Sequence, residues 1–300
     1  MPHTVHGLVP ILATPFLPDG ALDLPSLRRL TEFQLESGVD GVAVFGMASE
    51  NFALTAAERA VILREVTGVV AGAVPVVAGV SATSTVTALE QVAAAEGADA
   101  LMVLAPYLVK PGAAQLVEFY ATIAAAGTEV MVQDAPGATG VTMPVPLIVE
   151  LAKLPGVTSV KVEAPPTAQK VAAVVDAVDA DFAVLGGQNA QFCLAEYAGG
   201  GVGTMPACEF PDLLAPVLAD WSAGRHAGAR AAFTRLLPLI LCGLQQGIAW
   251  AVHKEVLVRR GIIAHATVRS PAATPSRATL TELDAVLADL AMPPAPGVSR

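Results

Sequence analysis

Ala100-Leu-Met-Val-Leu-Ala-Pro106 carries no charge and no hydrogen-bonding side chain. A continuous apolar run of this length suits a strand buried on both faces, which is the habit of parallel sheets. Similar short apolar runs recur along the chain. Leu8–Ala13, Gly41–Gly46 and Val74–Val80 precede it, and Glu129–Ala135, Val157–Ala164, Phe182–Gly187 and Gly201–Pro206 follow it. Helix signals fill the intervals. Thr55-Ala-Ala-Glu58 is a capping box ahead of Arg59–Val70. Leu27 with Leu30, and Ile62 with Val66, have helical spacing. Thr167, after Pro165-Pro166, is positioned to cap the next helix. Eight strand–helix units predict an α/β fold, a closed (β/α)8 TIM barrel over residues 1–223. An open doubly wound sheet is the alternative.

Beyond Gly224 the pattern turns helical, and residues 224–300 read as a C-terminal extension packed on the barrel. Its helices are expected near Arg225–Leu237, Leu239–Arg260 and Leu280–Leu290. Thr279-x-x-Glu282 reads as a capping box and Gly261 as a helix stop. The Pro-rich tail Met292–Arg300 reads as loose.

Composition narrows the function. The 300 residues are 54% hydrophobic, which excludes a disordered chain, and the formal net charge is −10. The scattered Lys and Arg argue against nucleic acid and against an anionic membrane surface. Cys193, Cys208 and Cys242 are too few and too far apart for a disulfide framework or a Cys-x-x-Cys metal site. His3, His6, His226, His253 and His265 show no metal-ligand spacing, so no metal is expected. The start of the chain lacks a basic segment ahead of its apolar stretch. Val66–Val80, broken by Gly72 and Pro75, is too short to span a membrane. The expectation is a cytoplasmic protein. Gly199-Gly-Gly-Val-Gly-Thr204 leads into a strand rather than from a strand into a helix, so a turn is preferred to a phosphate loop. No Gly-x-Ser-x-Gly elbow is present.

In a barrel, chemistry sits at the C-terminal ends of the strands. The polar residues expected there are Ser49, Glu50, Tyr107, Gln133, Asp134, Lys161, Glu163, Gln188 and Asn189. Lys161 stands out, because it alone among the lysines lies inside an apolar strand. A buried ammonium is costly unless paired or neutral, and a neutral amine attacks carbonyls. A Schiff-base lysine is one reading. A structural ion pair with Glu163, two residues on and on the same strand face, is the other. The basic residues Arg225, Arg230, Lys254, Arg259 and Arg260 are expected on solvated helix faces or oligomer contacts.

The order of features resembles the dihydrodipicolinate synthase and N-acetylneuraminate lyase superfamily of class I aldolases. Gly46-Met-Ala-Ser-Glu50 stands where the family has Gly-x-x-Gly-Glu, followed by Leu54-Thr-x-x-Glu-Arg59. Ala105-Pro-Tyr107 matches its Pro-Tyr element, and Gln133-Asp-Ala-Pro136 with Thr139-Gly140 its Tyr-Asn-x-Pro…Thr-Gly segment. Val160-Lys161 matches the Schiff-base lysine, and Lys254-x-x-Leu257 with Gly261 the last helices. The resemblance implies a covalent imine between Lys161 and pyruvate or another 2-oxo acid, with no cofactor. It places the substrate carboxylate near Ala48 and Ser49, with Ser49 supplying a hydroxyl. Tyr107 lines the site or packs at a subunit contact. Apart from the resemblance, Gly203 in its glycine-rich turn allows close substrate approach, and Gly187 is a further substrate-binding candidate. The family's oligomers imply a homotetramer or dimer.

The departures are specific. Gln133 replaces the usual tyrosine, and an amide is neither acid nor base near neutral pH. Met47 and Leu108 stand where the synthase uses hydroxyl residues, and Ala138 where it has an arginine. Glu163 is the candidate replacement acid/base, with simple pairing to Lys161 as its alternative. Gln133, Asp134 and Gln188 are then candidates to hold a hydroxylated substrate, although Asp134 reads better as a turn residue before Pro136. The expected function is a Schiff-base lyase, aldolase or dehydratase. The alternatives are the synthase proper and a catalytically silent binding or scaffold homologue.

Overall fold

A computed structural model describes residues 3–292. Its strands are β1 (Gly7–Leu8), β2 (Val42–Val44), β3 (Val76–Val80), β4 (Ala100–Leu104), β5 (Glu129–Asp134), β6 (Val157–Val162), β7 (Ala183–Gly186) and β8 (Gly203–Thr204). All pair in parallel, in the order β1-β8-β7-β6-β5-β4-β3-β2. The ring closes beyond the short β1. Leu12 N–H donates to the Ala43 carbonyl at 2.8 Å and Ala43 N–H to the Pro10 carbonyl at 2.9 Å. Ile11 bridges to Ala43 on one side and Ala207 on the other. The sheet is therefore the expected barrel and not an open doubly wound sheet.

Two apolar layers explain why the strands read as unbroken runs. Inward residues such as Val9, Ile11, Val77, Met102, Met131, Leu185 and Met205 fill the barrel. Outward residues such as Val44, Val103, Val132 and Val160 pack beneath the helices. With both faces dry, no polar alternation survives. The outer helices are α1 (Leu24–Glu36), α2 (Ala56–Val70), α3 (Thr85–Ala93), α4 (Ala113–Ala124), a single turn α5 (Pro136–Thr139), α6 (Val145–Ala152), α7 (Thr167–Val175), α8 (Cys193–Ala198) and α9 (Pro211–Ser222). The Thr55–Glu58 capping box forms as expected, each side chain bonding to the other's backbone N–H. Thr167 does not cap α7; Pro166 is the N-cap and Thr167 the first helical residue.

Three further helices follow: α10 (His226–Cys242), α11 (Ala249–Arg259) and α12 (Arg277–Asp289). The sequence reading placed the first break at Pro238, but α10 runs through that proline. The chain turns instead between 243 and 248, with Gly247 left-handed at φ +85°. The α12 N-cap is Ser276, whose hydroxyl accepts the Thr279 N–H at 3.1 Å, rather than Thr279. Gly261, at φ +73°, does follow the end of α11. Of the proposed loose tail, residues 293–300 lie outside the described residues. No described helix is long and apolar enough to cross a membrane.

Candidate active site at the barrel mouth

Strand alternation decides which polar groups meet. Gln133 pairs in register with Lys161, and Lys161 with Leu185. Leu185 belongs to the barrel interior, so Gln133, Lys161 and, two residues on, Glu163 project to the same side. Lys161 is 1% exposed, and its Nζ lies 3.3 Å from Glu163 Oε1. Gln133 Nε2 donates to Glu163 Oε2 at 2.7 Å. The backbone N–H of Gln188 donates to Glu163 Oε1 at 3.2 Å, and its side-chain Nε2 to the Glu163 carbonyl at 2.6 Å. Glu163 is thus the hub, held by an amide, a backbone N–H and the Lys161 ammonium. These contacts fix the orientation of the Glu163 side chain.

The strand end opposite this hub is Gly186-Gly187. A Cβ on Gly187 would sit 2.7 Å from both Lys161 Cε and Glu163 Oε1. Only glycine leaves room for the pair at Gly187. A Cβ on Gly186, facing the helix layer, would collide with the Glu196 carboxylate of α8. Glu196 is 1% exposed, with the Thr167 hydroxyl beside it. Burial pushes its carboxyl up to about 7; Thr167 and Lys161 oppose the rise and Glu163 adds to it. The sequence reading missed Glu196 because it lies on a helix, away from any strand end.

Lys161 and Glu163 open onto a cavity of about 390 Å3. Met47 and Ala48 from the turn after β2 line it, with Ala135 and Ala138 after β5 and Gln188 and Asn189 after β7. The other wall is unexpected: Gly243, Leu244, Trp250 and His253, from the turn after α10 and from α11. Trp250 Nε1 donates to the Met47 carbonyl at 2.6 Å, which ties α11 to the mouth. Backbone strain marks the same loops. Phe45 (φ 61°), Gln188 (47°), Asn189 (54°) and Ala190 (62°) are all left-handed. Each costs on the order of 1–3 kcal/mol, a cost usually retained where function needs the geometry. Arg59 braces the first of these loops: its guanidinium stacks over Phe45 and donates to the Gly79 carbonyl.

Several expected positions fall elsewhere. Ala48 lines the cavity, but the Ser49 hydroxyl is buried and donates to the Leu12 carbonyl at 2.6 Å, so its proton is committed away from substrate. Gly203 borders Leu185 and the Gly7 backbone, where a Cβ would come within 2.9 Å. It is small for strand contact, not for substrate approach. Asp134 ends β5 facing the helix layer, buried and paired with Lys170 at 2.5 Å, so it is neither a turn residue nor a cavity group. Tyr107, Leu108 and Val109 are exposed at a loop tip, outside the cavity. Lys254 is as buried as Lys161 and pairs with Glu50, and Arg260 is buried against Asp212 at 2.6 Å. Neither lies on a solvated helix face. Arg225, Arg230 and Arg259 are exposed as expected.

A barrel with a buried strand lysine, paired to a carboxylate at a roofed mouth, defines an enzyme-like cleft at the C-terminal ends of the strands. The Dihydrodipicolinate synthetase family model matches residues 4–290, and the chain belongs to that family. It is 35% identical over 278 residues to L-2-keto-3-deoxyarabonate dehydratase of Azospirillum brasilense, covering 89% of this chain and 88% of that one. It is 33% identical over 268 residues to 4-hydroxy-tetrahydrodipicolinate synthase of Methylococcus capsulatus, covering 86% and 91%. Among solved structures, dihydrodipicolinate synthase of Thermotoga maritima superposes with a TM-score of 0.90 at 28% identity, over 96% and 99% of the two chains. YagE of E. coli K12, a family member solved in complex with pyruvate, gives 0.89 at 25% identity, over 95% and 98%. The chain is thus an enzyme of this lyase and dehydratase family.

Proposed function

We propose that the protein is a Schiff-base-forming lyase acting on a 2-oxo acid, with removal of water as its reaction. The observation that carries this is the placement of Lys161: buried on the inner side of β6, beside Glu163, on the wall of the mouth cavity. The Lys161 amine attacks the substrate's keto carbon and, after water is lost, forms an iminium. The adjacent C–H then becomes acidic, because the iminium takes up its electron pair. Glu163 takes that proton, the part usually given to the tyrosine that Gln133 replaces. Gln133 and Gln188 hold the Glu163 carboxylate in place rather than moving protons themselves. The turn Met47–Ser49 offers the substrate carboxylate its first N–H groups, which a helical turn leaves unbonded.

Two features favour dehydration over the synthase reaction. The positions where the synthase carries hydroxyl residues and an arginine hold the apolar Met47, Leu108 and Ala138, and the dehydratase of A. brasilense is similar along most of both chains. The working substrate is then a 3-deoxy-2-oxo acid with a hydroxyl at C4. The protein works in the cytoplasm, as a homo-oligomer assembled through the exposed tip Tyr107-Leu108-Val109. A monomer peak by light scattering would contradict that assembly.

The test is borohydride trapping. The protein is incubated with pyruvate, reduced and mapped by mass spectrometry, with K161A as control. An adduct on Lys161 that is absent in K161A is expected. Absence of an adduct with pyruvate and with larger 2-oxo acids would leave a silent barrel whose lysine is only an ion-pair partner.

A further inference from the structure

The roof of the cavity holds a second acid–base pair. His253 Nδ1 lies 2.7 Å from Glu209 Oε1, and the two residues are 5% and 1% exposed. Glu209 sits between β8 and α9, and its backbone carbonyl accepts from Arg260 Nη1 at 2.7 Å. His253 lies on α11, three residues after Trp250 and hence on the same helix face, and both line the cavity. Gly243 makes space for the ring, because a Cβ there would collide with His253 Cε1. Asn189 braces the neighbouring turns: it accepts the Ala207 N–H at 3.0 Å and donates to the Ile240 carbonyl at 3.1 Å. A carboxylate on Nδ1 fixes the ring orientation and leaves Nε2 as the ring nitrogen not engaged by Glu209.

Of the described side chains lining the cavity, the acids and bases are Lys161, Glu163 and His253. Resting on the Schiff-base reading above, Lys161 is consumed as the imine and Glu163 takes the C3 proton. Departure of hydroxide from C4 still requires an acid. We infer that His253 is a further catalytic residue, whose Nε2–H protonates the departing C4 hydroxyl, and that Glu209 is its positioning residue. The electrons balance. The C3–H pair forms the enamine C2=C3 bond as the proton passes to Glu163. The enamine then restores the C2=N iminium, its C2=C3 pair becomes C3=C4, and the C4–O pair leaves on oxygen. That oxygen takes the His253 proton and departs as water. Hydrolysis of the iminium releases the unsaturated 2-oxo acid and frees Lys161, and the proton on Glu163 returns through water to His253.

The experiment compares leaving groups. The probes are L-2-keto-3-deoxyarabonate and its 4-deoxy-4-fluoro analogue, given to wild type, H253Q and E209Q. Fluoride is the anion of a far stronger acid than water and departs without a proton. H253Q is expected to lose water about 100- to 10,000-fold more slowly than wild type, the range of general acid catalysis. Its fluoride release and its borohydride adduct with pyruvate at Lys161 should stay near wild type, showing an intact fold and lysine. E209Q should slow water loss by less and shift its pH profile, without changing that of fluoride release. Unchanged water loss in H253Q, or equal slowing with both leaving groups, would overturn the inference in favour of a purely structural pair. A wild-type protein that traps pyruvate but eliminates neither probe would overturn the dehydratase reading and the proton donor with it. A wild type without any adduct would overturn the imine itself.

Discussion

Lys161 Nζ and Glu163 Oε1 lie 3.3 Å apart on one side of β6, and the second oxygen of Glu163 is held by Gln133. The carboxylate is close enough to take a proton from the lysine or from a carbon bound to it. E163Q keeps the shape and removes the base. We expect pyruvate still to trap on Lys161. Exchange of the pyruvate methyl protons in D2O, followed by NMR, should fall about 100- to 10,000-fold. Exchange at the wild-type rate would assign Glu163 to pairing alone.

Gln133 tests whether that carboxylate must be held. In Q133A, Glu163 Oε2 loses a bond made inside the barrel. Loss of a hydrogen bond to a charged group costs roughly 1.5–3 kcal/mol. A fall of about tenfold or more in the exchange rate is expected, with the trapped adduct retained. If exchange were unaffected, the amide would be holding nothing that matters to the chemistry.

Glu196 gives stability an unusual pH dependence. Its carboxyl is raised to about 7 in the fold, chiefly by burial, from an ordinary value of 4.5. Between about pH 4.5 and 7 the unfolded chain has released this proton and the folded chain retains it. Stability contributed here therefore falls as pH rises through that window and is level above it. E196Q removes the slope. Relative to wild type it should gain on the order of 2–3 kcal/mol between pH 4 and pH 7.5. Thermal melts across that range would show it, and a constant difference would refute the assignment.

Lys254 separates burial from catalysis. It is as buried as Lys161, and burial lowers it to about 8 against the pull of Glu50. It also donates to the Thr267 carbonyl at 2.7 Å, and it does not line the cavity. K254M leaves Glu50 buried without its ion-pair partner and should cost about 3–5 kcal/mol in denaturant melts, with part of it recovered by adding E50Q. Pyruvate should not trap on Lys254. An adduct mapped there would mean the wrong lysine has been assigned.

Those two lysines show where legibility ended. Lys161 was visible because a cation inside an apolar strand has only strand neighbours to explain it, and Gln133 and Glu163 follow from register and alternation. Lys254 was hidden by its helix, where a charge every few residues reads as a wet face. Ser49 was placed by motif order and Gly203 by its glycine-rich turn, and each gives the neighbourhood of a residue but not what it faces. Asp134 was misread because the end of β5 was judged by the proline two residues on, whereas Lys170 of α7 draws its carboxylate outward.

What the sequence determined by itself is the barrel and its inner strand chemistry. Both depend on short-range periodicity: unbroken apolar runs mark strands dry on both faces, and the two-residue repeat puts Lys161 and Glu163 on one side. What only the tertiary structure decided is the roof. The turn between 243 and 248 swings α11 over the mouth, bringing Trp250 against Met47 and His253 against Glu209, across separations of 203 and 44 residues. No local pattern encodes such a meeting, because it arises from how helices settle on the finished barrel rather than from the spacing of residues within any one of them.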